Sequence, residues 1–150
     1  MRRTKNSLKP RASLKRPLSQ LAVILKGQNN TDLPREYWER GCLFKNFANL
    51  EWRRLTGIFP ATMIGKTHPL YVIEASALHE VVCPCSSKNF YGKGTEYIPR
   101  GSVLEYTGVV MDKNSFVLRN FACPLAPEER FEASPHFLGS FPPEKLEHAK

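Results

Sequence analysis

Side chains able to move a proton or donate a hydrogen bond stand at the ends of two apolar runs, although residue type and spacing alone name no activity. His68 precedes Pro69 and the run 70–75, and Ser86 and Ser87 close the run 78–84. An imidazole with an ordinary pKa of about 6.5 can take up or release a proton near neutrality, and a hydroxyl can donate to developing negative charge. Basic side chains flank both: Arg53, Arg54 and Lys66 before the histidine, and Lys88, Lys93 and Arg100 after the serines. Cations so distributed can track a phosphate backbone, with Trp52, Phe90 and Tyr91 available to stack on bases. Each residue also has a plainer reading: a loop histidine, serines that terminate a strand, solvated cations, aromatics in a core. The strong local fingerprints of phosphate cradles, zinc proteases and serine hydrolases are absent from the sequence.

Cys42, Cys83, Cys85 and Cys123 do not form the spaced framework of a secreted disulfide domain. Cys83 and Cys85 flank Pro84 and share one face of an expected strand. A separation of two is too close for the usual zinc spacing, so the four read first as small buried hydrophobes in a reducing compartment.

The elements that must position these side chains are short. Asp32 as N-cap, Pro34 in the first turn and Gly41 as a stop predict a helix over 35–40, followed by a strand over 42–47. Asn49 predicts a single helical turn carrying Trp52, Arg53 and Arg54. The runs 70–75 and 78–84, rich in Val, Ile and Tyr, predict an antiparallel hairpin turning around Ser76. A glycine-containing basic loop over 86–95 leads to short strands over 96–99, 103–106, 109–111 and 115–121, with a turn at Asp112, Lys113 and Asn114. Pro142 and Pro143 open a helix over 144–149. The expected class is mainly β with short helices, closed as a small, strongly bent barrel or as paired sheets.

Length and charge set the outer bounds. A chain of 150 residues is about one domain. The net charge of +8 lies in residues 1–30, which hold eight basic side chains and no acid, whereas 14 basic and 14 acidic side chains balance from residue 31 onward. We therefore expect a basic N-terminal extension over 1–30, loosely attached at least through residue 19, and a single domain over 31–150. The longest purely apolar stretch, 21–25, falls far short of the roughly 20 residues a membrane helix needs. The expectation is a cytoplasmic protein without membrane attachment.

The order of several segments resembles one family. Gly65-Lys66-Thr67-His68-Pro69-Leu70-Tyr71-Val72-Ile73, then Val81-Val82-Cys83-Pro84-Cys85-Ser86-Ser87-Lys88, then Glu96-Tyr97-Ile98-Pro99 are similar to segments of the MazF/PemK (Kid) toxin endoribonucleases. Asp112-Lys113-Asn114-Ser115-Phe116-Val117-Leu118 resembles that family's Ser-aliphatic strand. Phe137-Leu138-Gly139-Ser140-Phe141 with Pro143-Glu144-Lys145-Leu146 resembles the entry to its last helix. Together the matches span residues 40–149.

The resemblance implies an SH3-like barrel with a C-terminal helix, working as a homodimer without metal or other cofactor. It further implies cleavage of single-stranded RNA by attack of a 2′-OH, and inhibition by an antitoxin protein across the RNA groove. Carried over by position, the family's strand-end hydroxyl falls on Ser86 with Ser87 beside it, and its arginine falls on His68. An imidazole lacks the permanent charge and forked donors of a guanidinium but suits general acid or base work. Two other outcomes stay open: a weakened relative that binds RNA or an antitoxin-like partner without cutting, and a structural module whose basic tail alone engages nucleic acid.

Overall fold

The structure is a computed structural model that describes residues 15–28, 31–60, 66–76, 79–89, 96–126, 128–131 and 133–149. Its framework is antiparallel β. In chain order the strands are β1 (Cys42–Lys45), β2 (Leu70–Ala75), β3 (Glu80–Ser86), β4 (Glu96–Ile98), β5 (Ser115–Val117), β6 (Cys123–Leu125), β7 (His136–Ser140) and β8 (Glu147–His148). They join in the order β7-β1-β2-β3-β5-β4-β8, and β6 also pairs with β3. The first part of β3 binds β6 through Glu80, Val81 and Val82, while its end binds β5 through Cys85 and Ser86. With irregular register in β1 and β2 adding local twist, the sheet curls into a half-barrel.

The central strands are apolar over most of their length, where both faces are buried. Phe44, Leu70, Val72 and Val82 enter one cluster with Leu18, Trp38, Trp52 and Phe59. The alternate residues Leu43, Tyr71, Ile73, Cys83 and Cys85 enter a second with Ile98, Leu104 and Val117. The period of two assigns neighbouring residues to opposite cores.

Two short helices lie outside the sheet, α1 (Ala22–Leu25) and α2 (Asn49–Thr56). The eight-residue α2 replaces the single turn expected at Asn49. Glu51 in its first turn and Arg53 and Arg54 in its last complement the helix dipole. Gly57 ends it in the left-handed region at φ 76°, donating its N–H to the Arg53 carbonyl at 2.8 Å. Buried Trp52 anchors the helix to the core.

Several expectations are corrected. The helix expected over 35–40 is a 3-10 turn, Arg35–Tyr37, after which Trp38 is extended and buried. Residues 103–106 and 109–111 form no strands and meet through the isolated bridge of Val103 with Val110 and the Leu104 N–H donating to the Val109 carbonyl at 2.7 Å. In place of the C-terminal helix, Pro143–Lys145 makes one 3-10 turn and β8 pairs with Glu96 and Tyr97 of β4. Six residues are too few for a stable helix by themselves, and pairing satisfies the open edge of β4.

Part of the expected N-terminal extension enters the first core. Leu18 and Leu25 are fully buried in the first core, and the Lys15 ammonium donates to the Arg35 and Trp38 carbonyls at 3.1 and 3.0 Å. Lys15 and Arg35 both bind the carboxylate of Glu80, whose side chain is only 4% exposed. Leu18 and Leu25 supply the apolar contacts that a loosely attached tail would lack. Residues 1–14 of the expected extension lie outside the described residues.

Gly139 in β7 marks the tightest crossing. Its φ of 143° is strained for any side chain, and an added Cβ would stand 2.5 Å from the Leu104 Cβ and 2.6 Å from the Thr107 Oγ1. Gly139→Ala is expected to destabilise the fold by about 3 kcal/mol through overpacking and backbone strain. A urea midpoint within error of the parent would contradict this.

Candidate active site

The segment before β2 is fastened on both sides. Asn49 donates its backbone N–H to the Lys66 carbonyl (2.9 Å), the His68 N–H donates to the Phe47 carbonyl (3.0 Å), and Thr67 bridges to Ala48. On the other side the Cys85 N–H donates to the Pro69 carbonyl at 2.9 Å, and Trp52 Nε1 donates to the His68 carbonyl at 3.2 Å. These bonds fix the backbone of 66–69 between α2 and the end of β3. The same geometry puts His68 and the Ser86-Ser87 pair, 18 positions apart in the sequence, on one cleft.

That cleft has a volume of about 510 Å³. One wall is Thr67, His68 and Pro69, the β3 end contributes Cys85, Ser86 and Ser87, and the opposite wall runs from Val109 to Ser115, with Leu138 of β7 completing the lining. This lies within the roughly 300–1,000 Å³ of small-molecule sites and mixes apolar surface with a few polar groups, as such sites do.

His68 is half-buried, with Nδ1 2.6 Å from the Asn49 Oδ1 and its ring edge-on to Phe59. Because an amide oxygen only accepts, Nδ1 carries the hydrogen. Burial pushes the imidazole below its ordinary pKa, so it is neutral at pH 7. Ser86 is buried at the end of β3, where its Oγ accepts the Lys88 N–H at 3.1 Å and keeps its own hydrogen to donate. Ser87 is exposed.

The cations are placed less uniformly. Arg53 and Arg54 lie on α2 and do not line the cleft. Arg54 is held by the carboxylates of Glu51 (2.7 Å) and Glu129 (2.9 Å), and the Glu51 hydrogen bond raises its pKa further. Lys66 and Lys88 are exposed within two residues of His68 and Ser86, and Arg100 is tied through its backbone N–H to the Asn114 Oδ1 at 2.8 Å. Lys93, Phe90 and Tyr91 lie outside the described residues. Trp52 is fully buried and presents no face to a ligand.

Sequence reasoning missed two contributors. Lys113, read only as part of a turn, lines the cleft together with Asp112 and Asn114. Asn49, read as a helix cap, spends its side chain on His68 instead. A basic residue in a turn just before a strand was the one available signal for Lys113. Nothing local pointed to Asn49.

All four cysteines are buried free thiols. Burial pushes Cys42 and Cys85 up to about 12 and Cys123 up to about 11, and raises Cys83 well above its ordinary value. They are not nucleophiles at neutral pH. Among the described residues no group of three His, Cys, Asp or Glu side chains is placed to hold a metal ion, and no helix is long and apolar enough to cross a membrane. The chain matches no protein-family model, no curated protein and no solved structure.

Proposed function

We propose that this chain is a MazF/PemK-like endoribonuclease that cuts single-stranded RNA without a metal ion. The observation that carries the reading is that His68, Ser86 and Ser87 line one cleft of about 510 Å³. In this reading His68, neutral at pH 7, removes the proton from a ribose 2′-OH. The 2′-oxygen then attacks the adjacent phosphorus, the bond to the 5′-oxygen breaks, and that oxygen leaves with a proton from solvent. Ser86, Ser87 and Lys113 donate to the phosphorane oxygens while its negative charge develops. Lys66, Lys88, Lys93 and Arg100 guide the strand electrostatically. An SH3-like closure of the half-barrel, a homodimeric state, a cytoplasmic location and an antitoxin partner belong to the same reading.

The test is incubation of the full chain with mixed-sequence single-stranded RNA in EDTA. Products ending in 2′,3′-cyclic phosphate are expected. Cleavage should fall on the acid side as pH drops through the folded-state pKa of His68, which burial holds below the ordinary histidine value, because protonated His68 can no longer accept the 2′-OH proton. Stability follows the same sign. The unfolded chain takes up the proton first, so the contribution of neutral His68, complete above its unfolded pKa, is lost as pH falls through the lower folded value. A rate independent of pH across this window would count against His68 as the base.

A second reading has an observation in its favour: among the described residues lining the cleft there is no guanidinium. The chain would then bind RNA or an antitoxin-like peptide without cutting. Intact RNA with salt-sensitive gel retardation would decide for it.

A further inference from the structure

We propose that Asn49 is the positioning residue of this cleft, whose buried side chain fixes His68 in the Nδ1–H tautomer so that Nε2 holds the proton-accepting lone pair. The catalytic meaning of this assignment rests on the nuclease reading. Its structural content stands on the contact itself.

Three observations converge. The Asn49 Oδ1 lies 2.6 Å from Nδ1, and Asn49 is 5% exposed, so water does not compete freely for the bond. Both partners are fixed in backbone: Asn49 opens α2 and donates its N–H to the Lys66 carbonyl, while His68 donates its N–H to the Phe47 carbonyl and accepts from Trp52 at its own carbonyl. Rigid partners hold the ring plane and select the tautomer, because the bond made at one ring nitrogen dictates the role of the other. Free imidazole in a histidine side chain prefers the opposite tautomer, with the hydrogen on Nε2. Without Asn49, the nitrogen needed as base would more often carry a proton.

The choice of an amide also matters. A carboxylate here would orient the ring equally well but would stabilise imidazolium and raise its pKa. Asn49 orients the ring without adding charge, and burial then keeps it neutral at pH 7. Among the described residues, the titratable groups that share the cleft with His68 are Cys85 from β3 and Asp112 and Lys113 from the 109–115 segment. The last two carry opposite charge side by side.

The experiment reads the tautomer without using activity. In uniformly ¹⁵N-labelled full-length protein, two-bond ¹H–¹⁵N correlation distinguishes Nδ1–H from Nε2–H, and the His68→Gln variant identifies the His68 signal among the four histidines. We expect Nδ1–H in the parent, a shift toward Nε2–H in Asn49→Ala, and retained Nδ1–H with a titration moved to higher pH in Asn49→Asp. On RNA, Asn49→Ala should lose about 10- to 100-fold in kcat with KM little changed, a part of the full general-base contribution. Asn49→Asp should recover much of that rate, with its acid limb displaced upward. Predominant Nε2–H in the parent, or an unchanged tautomer in Asn49→Ala, overturns the proposal whether or not RNA is cut. If the tautomer responds as expected but the parent cuts no RNA, the nuclease reading falls and the catalytic role of Asn49 falls with it.

Discussion

Replacing His68 by alanine is expected to lower the rate of RNA cleavage by about 10²- to 10⁴-fold, the range that a positioned general base contributes. The loss should appear in kcat, because the imidazole acts on the proton that moves in the transition state, while the cations that guide the strand are untouched. A smaller structural cost accompanies it. The Asn49 Oδ1 loses its 2.6 Å partner in a buried setting, which costs about 1–3 kcal/mol. Thermal unfolding of the variant therefore separates the two effects, since a folded but inactive protein assigns the loss to chemistry. Ser86→Ala is the companion measurement. Removing one donor to the phosphorane costs about 10²-fold, while the Lys88 N–H that loses its acceptor at Ser86 sits on an exposed residue and can turn to water. If His68→Ala cut RNA at the parental rate, the general-base assignment would be wrong.

The second large effect concerns stability. Glu80→Ala is expected to cost about 3 kcal/mol, at the low end for a broken buried ion pair because Lys15 and Arg35 each keep about a fifth to a quarter of their side-chain surface in water. The carboxylate ties three parts of the chain together: the N-terminal segment through Lys15, the 3-10 turn through Arg35, and the sheet through β3 itself. Arg35 also lies 4.9 Å over the Trp38 ring and donates to the Ala126 carbonyl, so its loss of a partner is felt on both sides of the core. Hydrogen exchange gives the sharper readout. The N–H groups of Leu18 and Gly27, bonded to Glu39 and Thr107, should lose protection in Glu80→Ala before those of β2 and β3 do. Uniform loss across the molecule would mean that the N-terminal segment does not depend on this carboxylate.

Much of the sheet was legible because alternation and run length are local properties. The strand over 70–75 and the turn at Ser76 coincide with β2 and with the hydrogen bonds between Ser76 and His79. Strand β3 begins two residues later than expected and runs on through Ser86, since Cys85 and Ser86 find β5 across the curl. The N-terminal segment was not legible. Its charge argued for a solvated tail, whereas Leu18 and Leu25 are held by partners such as Trp38 and Phe44 that lie later in the chain. The C-terminal helix failed for a related reason: the free edge of β4, not local propensity, decides what 147–148 become.

The site divided in the same way. His68, Ser86 and Ser87, singled out through the resemblance, line one cleft because 66–69 is bonded to the end of β3. Arg53 and Arg54 were expected nearby because they precede His68 in sequence. A helix fixes direction as well as distance, and α2 turns Arg54 toward Glu51 and Glu129. Lys113 and Asn49 depend on tertiary proximity that no spacing rule encodes.

The position of β1 between β2 and β7 has a consequence for synthesis on the ribosome. Its pairing with β2 can form early, but the partner on its other side, and with it the Leu138 wall of the cleft, is translated only after β6. A nascent chain carries His68 and both serines long before it can enclose a ligand around them. Emergence of β7 from the exit tunnel is therefore the step that converts a partly folded polypeptide into one with a complete cavity.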